Sequence, residues 1–168
     1  DRVVFCDLTE ARDALGMLRL ISQTMDIQLR PNNPLEHLTE LLKSESTLLI
    51  LDTIERIASD AGRICNSWIE QNTDLHIFCT SRVKLGVSRE RVELIRPLML
   101  LESVELFVQR GHAADARFNL STSNLEFVCT VIEKLDRLPL AIELAAGVAM
   151  PAPLGTAPCA YTDVRIIL

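Results

Sequence analysis

The chain has 168 residues, with 17 Lys and Arg against 23 Asp and Glu and a formal net charge of −6. At 48% hydrophobic and 24% charged it has a globular composition and enough length for a real core, which excludes disordered and fibrous classes. The acidic balance removes the generic electrostatic case for nucleic acid or an anionic membrane, and six scattered glycines, at 16, 62, 86, 111, 147 and 155, cannot form a phosphate-cradling loop.

The first predicted element is a strand, from the apolar and partly β-branched run Val3, Val4, Phe5, Cys6. Ala14, Met17, Leu18, Ile21 and Met25 then recur at helical spacing and predict a helix over 10–25. Asn33-Pro34 predicts the next helix start, with Asn as cap and Pro in the first turn, where its missing N–H costs nothing. Leu35, Leu38, Leu41 and Leu42 supply the buried face of that helix. The run TLLIL at 47–51 is apolar on both faces, which predicts a parallel strand in a sheet covered on both sides.

Ile54, Ile57, Ala58, Ala61, Ile64, Cys65 and Trp68 follow at helical spacing, then strands are predicted over 75–79 and 92–95. Such alternation is that of an α/β fold with right-handed crossovers. Beyond Pro97 the pattern is helical: one helix over 102–112, and a second over 124–135 opened by Ser123 with Glu126 as a capping box. A third begins at Pro139 and is predicted to bury Leu140, Ile142, Leu144, Ala145 and Val148. The expected organisation is an α/β domain over 1–97, a small all-α domain over 98–150 and an irregular tail over 151–168. In that tail Val164 to Leu168 could form a stray strand.

No secretory leader or transmembrane span is expected: the most apolar stretch, 138–154, carries Glu143 and is broken by Pro139, Pro151 and Pro153. Five widely spaced cysteines without CxxC pairing fit a reduced, cytoplasmic setting, and Cys65 and Cys79 sit in apolar patterns as small hydrophobes. The three histidines form no HExxH or His/Cys cluster, so no ligand set for a resident transition metal is expected.

Two strand ends carry the candidate chemistry. Asp52 closes the run LLIL, and Glu55 follows three residues on. A carboxylate at the carboxyl end of a buried parallel strand lies where open α/β sheets bind ligands. It can hold the hydration shell of Mg²⁺, while a second acid nearby polarises a water for attack on a phosphoryl group. The bland reading is an Asp that caps the following helix. Thr80-Ser81-Arg82 closes the next strand, where the planar donor fork of Arg suits a γ-phosphate. Its bland reading is a solvated strand end.

These motifs, together with Leu138-Pro139-Leu140-Ala141-Ile142-Glu143-Leu144-Ala145-Ala146, resemble the STAND signal-transduction ATPases, nearest to the NB-ARC-like module of large bacterial regulators and kinase-linked ATPases. The resemblance covers about residues 3–150. It implies a partial P-loop NTPase-type parallel sheet with flanking helices, then a helical ARC-like domain. Asp52 would position Mg²⁺, Glu55 would stand near the hydrolytic water, Thr80 and Arg82 would face the nucleotide with Arg82 sensing the γ-phosphate, and Pro139 would pack against adenine. In such proteins ADP holds the lobes closed and exchange for ATP opens the switch.

This chain departs from the family at Thr53, where Asn is usual, and at Arg137, where Gly precedes Leu-Pro. It contains no GxxxxGK[ST]. In the family that loop precedes the first strand found here, so ATP or ADP with Mg is expected only where such a loop is supplied upstream. These 168 residues are expected to hydrolyse ATP negligibly. The resulting function is a fragment of a nucleotide-operated switch in signal transduction or transcription regulation, an ATPase only by resemblance. The alternative is a protein–protein interaction domain that retains the scaffold without nucleotide. The partners implied are a nucleotide and effector domains of the same parent chain (kinase, DNA-binding or repeat domains), with oligomerisation open and no membrane. The basic run Arg82, Lys84, Arg89, Arg91, interrupted by Glu90, reads as a solvated loop rather than a direct nucleic-acid surface.

Overall fold

The computed structural model describes residues 1–148, with side chains through 147, and the backbone of a strand at Arg165–Ile167. The chain divides into two compact units, one of residues Asp1–Ile95 with that strand and one of residues 96–148.

The first unit is mixed α/β. Strands β1 (Arg2–Asp7), β2 (Thr47–Asp52) and β3 (Leu75–Ser81) run parallel and side by side in chain order. Beyond β3 the sheet continues antiparallel through β5 (Arg165–Ile167) to β4 (Val92–Leu94). Of the tail over 151–168, only β5 lies within the described residues.

Register decides the two faces of the parallel strands. Val4 pairs with Leu49, and Cys6 with Leu51, which in turn pairs with Cys79. These side chains are buried against helices α1 (Ala14–Thr24), α2 (Pro34–Leu42) and α3 (Ala58–Gln71), through Met17, Ile21, Leu38, Leu42, Cys65 and Trp68. The alternate residues form rows Val3–Leu48–His76 and Phe5–Ile50–Phe78 on the other face. There Val3 is 69% and Phe5 58% exposed, and neither row belongs to the helix-packed core.

A sheet covered on both sides, expected from the run at 47–51, is therefore not what the described residues form. The reason is topological. Two right-handed crossovers that step along a sheet in the same direction place their helices on the same face.

The predicted helices need local corrections at their ends. α1 starts at Asp13 rather than near 10, because the Asp13 carboxylate accepts the Gly16 N–H at 2.7 Å as an N-cap. α1 closes with Asp26 in the left-handed region (φ 56°), while the Ile27 N–H reaches the Ser22 carbonyl at 2.8 Å. Asn33 and Pro34 stand where expected at the start of α2, but the Asn33 amide donates to Glu36 instead of capping the helix. Between α2 and α3, the Trp68 indole N–H donates to the Thr39 hydroxyl at 2.8 Å, satisfying both polar groups in the core.

The loop after β3 is pinned to α3. The Glu90 carboxylate accepts the N–H groups of Leu85 and Gly86 at 2.9 and 2.8 Å, and Asn66 accepts from the Ser88 N–H and hydroxyl. Gly62 of α3 lies directly beneath, where any Cβ would strike the Leu85 carbonyl. Glu90 thus turns into the loop, leaving Lys84, Arg89 and Arg91 exposed.

The second unit packs α4 (Leu100–Ala114), α5 (Leu125–Lys134) and α6 (Pro139–Val148) around Phe107, Val128, Ile132, Ile142 and Ala146. Phe118 meets Phe107 edge-on with centroids 6.1 Å apart. The Ser123–Glu126 capping box does not form. Helix α5 begins after Asn124, whose side-chain oxygen takes the Ser121 N–H at 2.7 Å, while Ser123 bonds Ser121. At α4, by contrast, Glu102 accepts the Met99 N–H at 2.8 Å.

Leu140 and Leu144 are exposed, at 60% and 63%, rather than buried. Helix α6 is apolar almost all round, so composition does not select a face; packing chooses the side bearing Ile142 and Ala146. The Val148 side chain lies outside the described residues.

Candidate functional site

Four of the five site residues expected from sequence stand at the carboxyl edge of the parallel strands, in two bonded pairs, Asp52 with Thr80 and Glu55 with Arg82. Asp52 is the last residue of β2, the middle one of the three parallel strands. Leu51 and Cys79 are register partners, so Asp52 and Thr80 stand side by side one step further on. The Thr80 hydroxyl donates to Asp52 Oδ1 and accepts the Thr53 N–H at 2.9 Å. One side chain thereby fixes both the carboxylate and the backbone that follows it. The Ile54 N–H is held by the Thr80 carbonyl at 3.2 Å.

That backbone turns sharply. Thr53 has φ 59°, a left-handed conformation that a β-branched residue adopts at a cost of about 1–2 kcal/mol. The turn brings Glu55, at the start of a single 3₁₀ turn (Glu55–Ile57), over the end of β3. There the Glu55 carboxylate accepts the Arg82 Nε–H at 2.8 Å. Glu55 is mostly buried and the Arg82 head mostly exposed, so this pair is worth about 1 kcal/mol or less. Arg82 is tethered but within reach of an incoming anion.

The sequence reading missed Asp7. It closes β1 in register with Asp52, on a strand about 4.8 Å away. Its Oδ1 accepts the Thr9 N–H and hydroxyl at 2.9 and 2.6 Å, and these bonds hold the Asp7 carboxyl below the usual carboxylate range. The signal was present: the run from Val3 to Asp7 has the same form as the run from Leu48 to Asp52, an apolar strand closed by Asp. Arg56 completes the edge, donating to the Thr9 carbonyl at 3.3 Å.

Pro139, the fifth expected site residue, belongs to the helical unit, in the first turn of α6. With Leu98, Leu106, Glu102, Glu105, Gln109 and Glu143 it lines an open groove of about 720 Å³. The turn before it shows why glycine is usual where this chain has Arg137. Asp136 and Arg137 both have positive φ, at 52° and 56°, and the Arg137 N–H closes α5 on the Ile132 carbonyl at 3.2 Å. Glycine suits such a position because it has no Cβ to clash there.

The donor set fits one part of a magnesium nucleotide. Asp52 Oδ2 takes no protein hydrogen bond among the described residues, leaving it available to a hydrated divalent ion. No group of three His, Cys, Asp or Glu that could hold a metal directly occurs among the described residues. The phosphates require a row of backbone N–H donors at a glycine-rich turn. The described glycines lie apart, in α1, α3, the loop at Gly86, α4 and α6.

No protein-family model matches the chain. It is similar to an uncharacterized protein of Mycobacterium tuberculosis, 27% identical over 144 residues, covering 84% of this chain and 37% of that protein. A counterpart in Mycobacterium bovis gives the same figures. A further Mycobacterium tuberculosis protein, named "Putative HTH-type transcriptional regulator", is 24% identical over 149 residues, covering 88% of this chain and 17% of that protein. The chain thus spans well under half the length of these relatives. No helix among the described residues is long and apolar enough to cross a membrane.

Proposed function

We propose that the chain is the Walker B and sensor portion of a STAND-type, P-loop nucleotide switch, together with its helical domain. In this reading it serves in transcriptional or signalling regulation in the cytoplasm. The observation that carries the reading is the Thr80 hydroxyl bonded to the Asp52 carboxylate at the carboxyl edge of the parallel sheet. The similarity to a longer protein with a regulator's name supports the regulatory part.

Asp52 would hold a water of the Mg²⁺ shell through its uncommitted oxygen, with Thr80 keeping the carboxylate aimed. The metal, when bound, neutralises charge on the phosphates. Glu55 carries a double role. It holds Arg82 in the absence of nucleotide, and in this reading it would stand near the water that attacks the terminal phosphate. Arg82 would leave Glu55 for a γ-phosphate, a contact that ADP cannot offer, and only such a difference can bias a two-state equilibrium. The resemblance assigns the base to Pro139 of the helical domain. Effector domains of the parent chain would read out the change.

The alternative, an interaction module without nucleotide, is favoured by one observation, the exposed apolar side chains of Val3 and Phe5 on β1. Calorimetric titration of MgATP and MgADP separates the two. The 168-residue chain is expected to bind neither tightly and to hydrolyse ATP no faster than its Asp52→Ala variant. In a longer natural chain that carries a GxxxxGK[ST] loop ahead of Asp1, Arg82→Ala should weaken ATP at least about tenfold, a change of 1.4 kcal/mol, and leave ADP unchanged. Equal loss for both nucleotides removes the sensor role, and no binding by the longer chain favours the interaction module.

A further inference from the structure

We propose that the groove between α4 and α6 is the docking surface for a basic amphipathic helix of a partner protein. The inference goes beyond the nucleotide reading and uses residues of the helical unit alone.

The groove is open, with a volume of about 720 Å³, and the half-buried Leu98 and Leu106 lie on its lining. Its charged lining residues are Glu102 and Glu105 of α4 and Glu143 of α6, three acids with no Lys or Arg among them. Glu102 Oε2 accepts the Met99 N–H, and Glu143 Oε1 accepts from the Arg110 guanidinium at 3.0 Å. Each of these two acids keeps a second carboxylate oxygen for a partner, and Glu105 stands exposed.

The outer side of α6 adds an apolar strip to this acidic wall. Leu140 and Leu144 are four residues apart, so they lie one turn from each other on one face of the helix, and Glu143 borders that face. Both leucines are more than half exposed, although the helix has a packed side bearing Ile142 and Ala146.

Two features of the surface select its occupant. The elements of the helical unit among the described residues are all helices, so they offer no strand edge with which an extended segment could pair. A ligand must then satisfy its own backbone hydrogen bonds, as a helix does. The second feature is charge. Leucines spaced three and four apart on an incoming helix would cover Leu140 and Leu144, while Lys or Arg on its flank would meet Glu102 and Glu105. An acidic helix would be repelled, and a neutral one would take carboxylates out of water without a partner. The same acids oppose nucleic-acid phosphates.

The test titrates the whole chain into a fluorescein-labelled Leu/Lys amphipathic peptide of about 18 residues, five turns of helix, and follows its anisotropy. Pro139 borders the same groove; no nucleotide is present, so the result is separate from any role of Pro139 toward a base. Saturable binding is expected. The double substitution Leu140→Gln and Leu144→Gln should weaken it at least about tenfold, and Glu105→Gln with Glu143→Gln about threefold. Glu126→Gln with Glu133→Gln removes the same charge from exposed sites on α5 and should leave the affinity unchanged. A Leu/Glu peptide of the same pattern should not bind. The proposal is overturned if no saturable binding occurs or if the Leu/Glu peptide binds as well. It is also overturned by equal loss in the two charge variants, which would mark only the general attraction of a cationic peptide to a chain of net charge −6. If the double leucine variant loses helix by circular dichroism, the comparison of the two charge variants decides.

Discussion

The two faces of the parallel strands are built from the same residue types and serve different ends. Val4, Cys6, Leu49, Leu51 and Cys79 meet three helices and form the core. Val3, Phe5, Leu48, Ile50 and Phe78 lie on the other face, where Val3 and Phe5 stand exposed. The pleat turns Asp7, Asp52 and Thr80 to this second side, at its carboxyl end. Stability therefore resides on one face and the polar cluster belongs to the other. A helix packed over the strand ends on that side would bury Asp52 and compete for the Thr80 hydroxyl.

Four substitutions test that division. Leu51→Ala on the covered face should cost about 3 kcal/mol, since a fully buried leucine leaves both lost transfer energy and a cavity; urea unfolding followed by Trp68 fluorescence measures it. A cost below about 1 kcal/mol would mean that the helices do not hold this face as described. Gly62→Ala should cost roughly 1–3 kcal/mol in the same assay, because the new methyl meets a backbone carbonyl that the Glu90 and Asn66 bonds hold in place. A stabilised variant would show that the loop gives way and that the gain in helix propensity wins.

Arg137→Gly, in the helical unit, should stabilise that unit by about 0.5–1 kcal/mol. Relief of left-handed strain is partly offset there by the greater freedom of glycine in the unfolded chain. A fall in the thermal midpoint would show that the Arg137 side chain makes a compensating contact. The smallest effect is expected on the open face, where Phe5→Thr should change stability by no more than about 0.5 kcal/mol. A loss like that of Leu51→Ala would mean that Phe5 is covered in solution.

Much of this arrangement was legible beforehand, and the misses share a cause. Strand β2 and its terminal Asp52, the Thr80–Arg82 strand end and the helical run after Pro97 followed from hydrophobic period and punctuation. Those signals are local. An all-apolar helix offers no period to choose a face, so sequence alone assigns Leu140 and Leu144 to the core. Ser123 and Glu126 have capping-box spacing, but Ser121 and Asn124 compete for the same turn and take it. The run that ends in Asp7 has the form of the run that ends in Asp52, but only register shows that the two carboxylates are neighbours, 45 positions apart in the chain.

What the sequence by itself determined is which segments are strand or helix and which strand ends carry polar side chains, because both depend on neighbours within a few residues. The tertiary structure alone decided which face of the sheet is covered and that Thr80 holds Asp52 while Glu55 holds Arg82. Each of these depends on crossover hand and strand register, which bring together residues that no local pattern relates.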